Sequence, residues 1–201
     1  LREIWRGGPL TFSGLAARLT AYVPRYSPSE PIPVYFGVRG PKLLEYVSKF
    51  ADGLLLSGPR SYIGQALDIV RRGRAERAEG RPIVGVWFPL VLGRRQGTNH
   101  VKRAVARILG DTPPQALEMS DLPAPRCRRI QELVGRADMA RAARLVDDRI
   151  IEDICLRGEV GEISSQLVSL RRFGADELVL GPPLTEDWVG PSLDLIESWP
   201  R

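Results

Sequence analysis

The chain has 201 residues, enough for one sizeable core. Its hydrophobic fraction is 43%, its charged fraction 26% and its net charge +5, the values of a soluble globular domain with no apolar run long enough to span a membrane. A single histidine, His100, excludes a His-dependent triad or a multi-His metal centre built from these residues alone.

The positive charge is dispersed among acidic residues, as in RRGRAERAEGR and DDRIIED. That pattern reads as a solvated surface. With no helix-turn-helix, RNA-recognition or zinc motif, it argues against nucleic acid as a partner. Cys127 and Cys155 are isolated, without CxxC spacing. Free thiols point to a reducing compartment and a cytoplasmic location. No secretory leader is visible. The opening LREIWRGG has no initiator Met and reads as the tail of a helix, so a truncated start is expected.

In chain order, residues 1–6 form that helix tail, stopped by Gly7-Gly8-Pro9. Residues 9–31 are dense in Pro and predict an irregular connection with at most a short strand near Leu10–Phe12. PVYFGV at 33–38 predicts a buried strand. A helix then opens at Gly40-Pro41, because proline at the first helical position lacks only an N–H that has no partner there anyway. Leu43, Leu44, Val47 and Phe50 recur at helical spacing and predict its apolar face. Asp52-Gly53 turns the chain into a strand at 54–57. This strand–helix–strand unit with short loops implies parallel pairing by a right-handed crossover.

Gly58-Pro59 ends that strand, and Ser61 caps a helix with Ile63, Ala66, Leu67 and Val70 on its apolar face. A third strand is predicted at 83–92, with Pro89 marking a bulge or an early end. Thr98 or Asn99 starts a helix carrying Val101, Val105 and Ile108. Residues 110–125 hold four prolines and predict a loop. Helices follow at 126–135, at 138–155 and at about 160–173, the last with Val160, Ile163, Leu167 and Leu170 inward. A fourth strand at 177–181 and a short helix near Ser192–Ser198 close the chain. The alternation makes the fold α/β with a parallel sheet of about four strands and flanking helices. Residues 1–201 are expected to form a single domain, with chemistry at the carboxyl ends of the strands.

The stretch FGVRGPKL at 36–43 carries the best candidate site. A helix N-terminus exposes unpaired N–H groups and about half a positive charge. Gly40 leaves the backbone open to a ligand, and Arg39 and Lys42 add full charges. Such a joint suits a phosphate. The competing reading is a tight βα turn that binds nothing. Gly37 and Pro41 frame it, and Ser57 and Gly58 at the next strand end are pocket candidates. His100 near a helix cap, Asp52 in a turn and Trp87-Phe88 in a strand read as structural rather than catalytic. Cys127, among arginines in PAPRCRRI, is either a thiol with a lowered pKa or, more simply, an inert surface thiol.

The stretch PVYFGVRGPKLLEYVSKFADGLLLSG, with LREIWRGGPLTFSG before it and SYIGQALDIVRRGRAERAEGRP and VDDRIIEDICLRGEVGEISSQLVSLRRFGADELVLGPP after it, resembles the bacterial luciferase-like superfamily. Within it the resemblance is to the F420-dependent methylenetetrahydromethanopterin reductases, through Gly40-Pro41, Ala51-Asp52-Gly53, Gly158 and Gly174-Ala175-Asp176 in family order. It implies part of a (β/α)8 TIM barrel, its carboxyl-terminal half, binding an anionic flavin-like cofactor, F420 or alternatively FMN. It further implies cofactor contact at Gly37, Arg39, Gly40 and Pro41, beside the cofactor's phosphate-bearing tail. Four strands do not close such a barrel, so a homo-oligomer or a chain supplying the missing half is expected as partner. The alternative is a non-catalytic half-barrel that binds a flavin-like ligand or another chain.

Overall fold

The computed structural model describes residues 2–75, 80–93, 98–184 and 188–198. The chain divides into two compact units, Leu1–Val34 and Tyr35–Arg201.

In the first unit, helix α1 (Arg2–Trp5) ends at Gly7 and Gly8, both with positive φ. Strands β1 (Leu10–Ser13) and β2 (Arg18–Tyr22) then form an antiparallel hairpin. The Thr11 hydroxyl accepts the Ala21 N–H at 3.1 Å and ties the two strands together. The segment expected to be irregular is therefore paired. Proline density masked the signal, because the prolines flank the hairpin and do not interrupt its strands.

The second unit opens with β3 (Tyr35–Gly37), α2 (Pro41–Ser48) and β4 (Gly53–Ser57). Helix α3 (Arg60–Ala75) and the long strand β5 (Ile83–Leu92) follow. Five helices come next: α4 (Asn99–Gly110), α5 (Pro114–Glu118), α6 (Ala124–Gly135), α7 (Met139–Arg144) and α8 (Asp148–Ile154). Strand β6 (Leu156–Gly158), α9 (Val160–Arg172), β7 (Glu177–Pro183) and α10 (Val189–Glu197) complete it.

All strand pairs in this unit are parallel. Trp87 of β5 pairs with Ser57 on one edge and Val179 on the other, so β4 and β7 flank β5. Leu90 pairs with Leu156 and Pro183, which places β6 on the β4 edge, beyond the end of β4. The register shift between Phe88 and Leu90 falls on Pro89, which has no N–H to give the ladder. Of the two outcomes predicted for Pro89, the structure takes the bulge.

The expected strands and helices stand, with two corrections and three additions. The strand expected to be buried at 33–38 is the three-residue edge strand β3, exposed at Tyr35 and Gly37 because only β4 pairs with it. Ser61 lies inside α3, which begins at Arg60, and it donates to Asp153 instead of capping the helix. The segment 110–125 contains α5. The helix expected over 138–155 is two helices, broken where Asp147 leaves helical geometry and its carboxylate accepts the Ile150 N–H at 3.0 Å. A fifth parallel strand, β6, lies between α8 and α9.

Successive strand residues face opposite sides of the sheet. Val84, Val86 and Phe88 point into a core filled by Leu44 and Val47 of α2, Tyr62 and Ile63 of α3, and Ile163 and Leu167 of α9. Gly73 of α3 seats against Ser48 of α2 so closely that an added Cβ would lie 1.7 Å from the Ser48 hydroxyl oxygen. A second core unites α4 to α8, with Val105, Leu109, Cys127, Ile130, Ile150 and Cys155 at its centre. The other sheet face carries Tyr35, Leu55, Ile83, Trp87 and Val179. There Gly53 and Gly181 are recessed, and a Cβ would come within 2.4 Å of the Tyr35 ring at the first and 2.6 Å of the Trp87 ring at the second.

Candidate functional site

Strand β3 delivers the chain to Val38-Arg39-Gly40, and α2 begins at once. Gly40 is the N-cap, with φ −84° and ψ 137°, and Pro41 takes the first helical position. The extended ψ is what a residue before proline adopts. The Gly40 carbonyl accepts the Leu44 N–H at 2.9 Å, closing the first turn. No side chain caps this end. A Cβ built on Gly37 or Gly40 meets nothing within 4 Å, so the space before the helix end is open.

Two contacts fix the loop. The buried Tyr62 of α3 donates its hydroxyl to the Arg39 carbonyl. Burial pushes the Tyr62 pKa well up, and the Arg39 charge offsets this only partly, so the hydroxyl stays a donor. The Arg39 guanidinium donates to Asp111, at the end of α4, at 2.8 Å. Arg39 thus directly precedes the uncapped helix end in the chain, and its guanidinium is paired with an exposed carboxylate. A groove of about 270 Å3 runs from Pro41 and Lys42 between α2 and α3, past Glu45, Ile69, Arg72 and Gly73.

Ser57 and Gly58 end the neighbouring strand. Gly58 has φ +140°, a conformation that strains any residue with a Cβ. A Cβ there would also stand 3.1 Å from the Tyr62 ring. Tyr62 therefore touches both halves of the predicted site: its ring lies under Gly58 and its hydroxyl holds Arg39. The six residues singled out from sequence come together at the carboxyl ends of β3 and β4. Tyr62 and Asp111, which shape the loop, carry no local sequence signal, since each acts on a residue distant in the chain.

At this side of the sheet α3, α4 and α9 have side chains on their ends, whereas α10, after β7, is uncapped like α2. At α3, the Asp153 carboxylate accepts from the Ser61 N–H at 2.9 Å and from its hydroxyl at 2.7 Å. Arg60 beside it donates to the Cys155 carbonyl at 3.0 Å and to Gln166 at 2.7 Å. Helix α9 has a capping box, in which the Glu162 side chain accepts the Glu159 N–H at 2.8 Å. Thr98 caps α4 by accepting the Val101 N–H.

Among the described residues no group of acidic, Cys and His side chains is placed to hold a metal, and no helix is long and apolar enough to cross a membrane. His100 is exposed at the start of α4. Phe88 is core, while Trp87 faces the other side of the sheet beside Gly181. Cys127 is not the surface thiol expected: it is buried, and burial raises its pKa, with Arg126 lowering it less. Its neighbouring arginines project from the opposite helix face and leave the thiol in the apolar stripe of α6. Cys155 is pushed up to about 12 by burial, against smaller downward pulls from Arg60 and Arg157.

Comparison with known proteins agrees with this architecture. The luciferase-like monooxygenase family profile matches residues 1–177, and the chain belongs to that family. It is 26% identical over 189 residues to 5,10-methylenetetrahydromethanopterin reductase of Methanopyrus kandleri, covering 90% of this chain and 54% of that protein. It is 23% identical over 197 residues to the reductase of the same name from Archaeoglobus fulgidus, covering 93% and 59%. The solved structure of the coenzyme F420-dependent tetrahydromethanopterin reductase from Methanopyrus kandleri superposes with a TM-score of 0.74 at 22% identity, covering 90% of this chain and 54% of that one. An F420-dependent secondary alcohol dehydrogenase gives 0.68 at 16% identity, covering 98% and 56%. These superpositions establish the fold, part of a luciferase-like TIM barrel. The chain spans a little over half the length of the relatives it matches.

Proposed function

We propose that this chain carries the phosphate-anchoring part of a cofactor site in an F420-dependent oxidoreductase of the methylenetetrahydromethanopterin reductase type, with FMN as the alternative cofactor. The observation that supports this most directly is the uncapped N-terminus of α2. Of α2, α3, α4 and α9, it alone has no side chain on its end, and it has open space at Gly40 and Arg39 just before it in the chain, while α10, also uncapped, has no such glycine joint before it. The first-turn N–H groups and the helix dipole favour an anion there. Gly37, Arg39, Gly40 and Pro41 would receive the phosphate-bearing tail, with Ser57 and Gly58 shaping the adjoining wall. When bound, a deazaflavin supplies hydride transfer to or from a substrate. The part of this chain's residues is to anchor and orient: Tyr62 fixes the Arg39 carbonyl, and Asp111 holds the Arg39 side chain at the rim.

A second reading is a non-catalytic half-barrel that holds a flavin-like ligand or another chain. The open edges of the sheet favour it, since a closed barrel of this kind needs about eight strands. Retention of a cofactor ring calls for further strands, from a homo-oligomer or from a chain supplying the other half. The free, buried Cys127 and Cys155 fit a reducing compartment such as the cytoplasm.

The test is an absorption and fluorescence titration of the purified chain with F420, then with FMN. A saturable shift with F420 is expected, and Gly40→Asp, which sets a carboxylate at the helix end, should abolish it. A shift that survives Gly40→Asp would move the anchor elsewhere. No shift with either cofactor, whether the chain is alone or mixed with a chain supplying the other half of the barrel, would overturn the reading.

A further inference from the structure

A cleft of about 460 Å3 lies between α3 and α9, and both of its walls belong to the second unit. Arg60, Ile63, Gly64 and Leu67 form one face of α3 over two turns, about 10 Å. Gln166, Leu170 and Phe173 face them from α9. Hydrogen bonds bridge the two helices at either end, from Arg60 to Gln166 at 2.7 Å and from Arg71 to the Phe173 carbonyl at 3.2 Å. The cleft is therefore bounded along its length, polar at Arg60 and apolar beyond it. Two of its features point to an occupant. The first is Gly64, which stands inside a 16-residue helix, where glycine is less favourable than alanine. A Cβ there would meet nothing within 4 Å, so no neighbour in the chain requires its absence. What glycine preserves is the width of the cleft. The second is the guanidinium of Arg60. Both of its hydrogen bonds leave from Nη2 and go to neutral acceptors, the Cys155 carbonyl and the Gln166 side chain. Its Nε is buried and has no acceptor. Burial lowers the Arg60 pKa, and Asp153 opposes this only in part, its carboxylate being committed to the N–H and hydroxyl of Ser61. A half-buried cation held by neutral groups gains from an anion that completes its hydrogen bonds.

We propose that this cleft binds a small monocarboxylate with an apolar tail, its head on the Arg60 guanidinium and its tail along Gly64, Leu67 and Leu170. The volume falls in the range of small-molecule sites, and an apolar lining with a few polar groups at one end is their usual make-up. The planar fork of a guanidinium matches a carboxylate. One cation, beside a helix end whose Ser61 N–H Asp153 already holds, suits a single negative charge and leaves a phosphate dianion under-neutralised. Ile63, Leu67 and Leu170 are buried and supply an apolar floor for the tail. None of the residues at the Gly40 joint lines the cleft, so the proposal does not rest on cofactor binding.

The experiment is a calorimetric titration of the purified chain with octanoate and with phenylacetate, set against octanol as the uncharged tail and acetate as the bare head. Saturable binding of at least one of the two tailed carboxylates is expected, about tenfold tighter than octanol or acetate. Gly64→Met fills the cleft from its wall with a residue that favours helix. Circular dichroism should show this variant at least as stable as wild type, while carboxylate affinity falls about tenfold or more. Arg60→Gln should bring octanoate down to the affinity of octanol. If Arg60→Gln does not fold, the comparison of octanoate with octanol on the wild type carries the test of charge. No saturable binding of either carboxylate, equal binding of octanoate and octanol by the wild type, or binding that Gly64→Met leaves unchanged each overturns the proposal.

Discussion

Gly40→Ala and Gly58→Ala separate a glycine kept for a ligand from a glycine kept for the backbone. Gly40 sits at φ −84° and ψ 137°, where alanine is at ease, and its Cβ would meet nothing within 4 Å. Replacement there removes freedom from the unfolded chain, worth about 0.4–1 kcal/mol, but alanine is a poorer N-cap than glycine by a similar amount, so stability should stay within about 0.5 kcal/mol of wild type. For a chain of this size that keeps Tm within about 2 °C. Gly58 sits at φ +140° with the Tyr62 ring 3.1 Å from the Cβ position. Replacement there costs about 1–3 kcal/mol of backbone strain, before Tyr62 shifts, and should lower Tm by about 2–12 °C. The ligand readout runs the other way at Gly40: the added methyl occupies the approach to the α2 N–H groups, so cofactor affinity should fall about tenfold, or about 1.4 kcal/mol. The assays are thermal melts by circular dichroism and a fluorescence titration with F420. A variant that is as stable as wild type yet binds more weakly supports an anchor at this helix end. Unchanged affinity in Gly40→Ala would refute the anchor, and a fall in Tm matching that of Gly58→Ala would refute the open space before it.

Two further expectations concern packing and titration. Gly73→Ala should destabilise by about 1–3 kcal/mol in thermal or urea melts, because the new Cβ meets not only the Ser48 hydroxyl but its Cβ at 2.9 Å and the Glu45 carbonyl at 3.3 Å; an unchanged melt would mean that α2 and α3 are not locked at this contact. Cys127 and Cys155 should resist Ellman's reagent in the native chain at pH 8 and react once it is unfolded, and fast native labelling would contradict their burial. Because burial raises the folded-state pKa of Cys155 to about 12, its contribution to stability is complete below the unfolded value near 8.5 and is lost as pH rises toward 12, at about 1.4 kcal/mol per pH unit; Cys155→Ala should flatten that part of the alkaline stability curve.

The sequence carried the parallel sheet because each of its longer strands is an apolar run closed by glycine and proline, and each helix after it has one dominant apolar face. It carried a cap at Thr98 or Asn99 and an interruption at Pro89, a bulge or an early end, because that chemistry is local, and the structure selects Thr98 and the bulge. It did not carry β6, three residues whose strand character comes only from pairing with Leu90–Leu92. The break in the 138–155 helix had a signal, Asp147 ahead of Ile150, which the longer apolar period concealed. Cys127 was misplaced because its arginine neighbours adjoin it in sequence yet lie on the far side of α6, while Ile130 and Leu133 continue its stripe into the core. The α2 period was read as one face, whereas Leu44 and Val47 turn to the sheet and Leu43 and Phe50 turn away. At the site, the glycines and Arg39 were legible and their supports were not, since Tyr62 and Asp111 reach Arg39 across 23 and 72 positions of chain.

The pattern of caps gives the candidate site its asymmetry. A helix N-terminus in a folded chain needs partners for its first N–H groups, and α3 and α9 take theirs from Asp153 and Glu159 of this same chain. Those carboxylates occupy the place an anionic ligand would take, so neither end is available to one. Helix α2 begins with Pro41, which removes one donor, and no side chain caps the Lys42 and Leu43 N–H groups. Anchoring the loop through the Arg39 carbonyl and side chain, with no cap on the helix itself, keeps the backbone rigid while the N–H groups stay available. A turn needed only to join β3 to α2 gains a few tenths of a kcal/mol over glycine from Ser, Asp or Asn at position 40, and with ψ at 137° each of them fits there. Glycine at that position forgoes the cap, and what it provides in exchange is room.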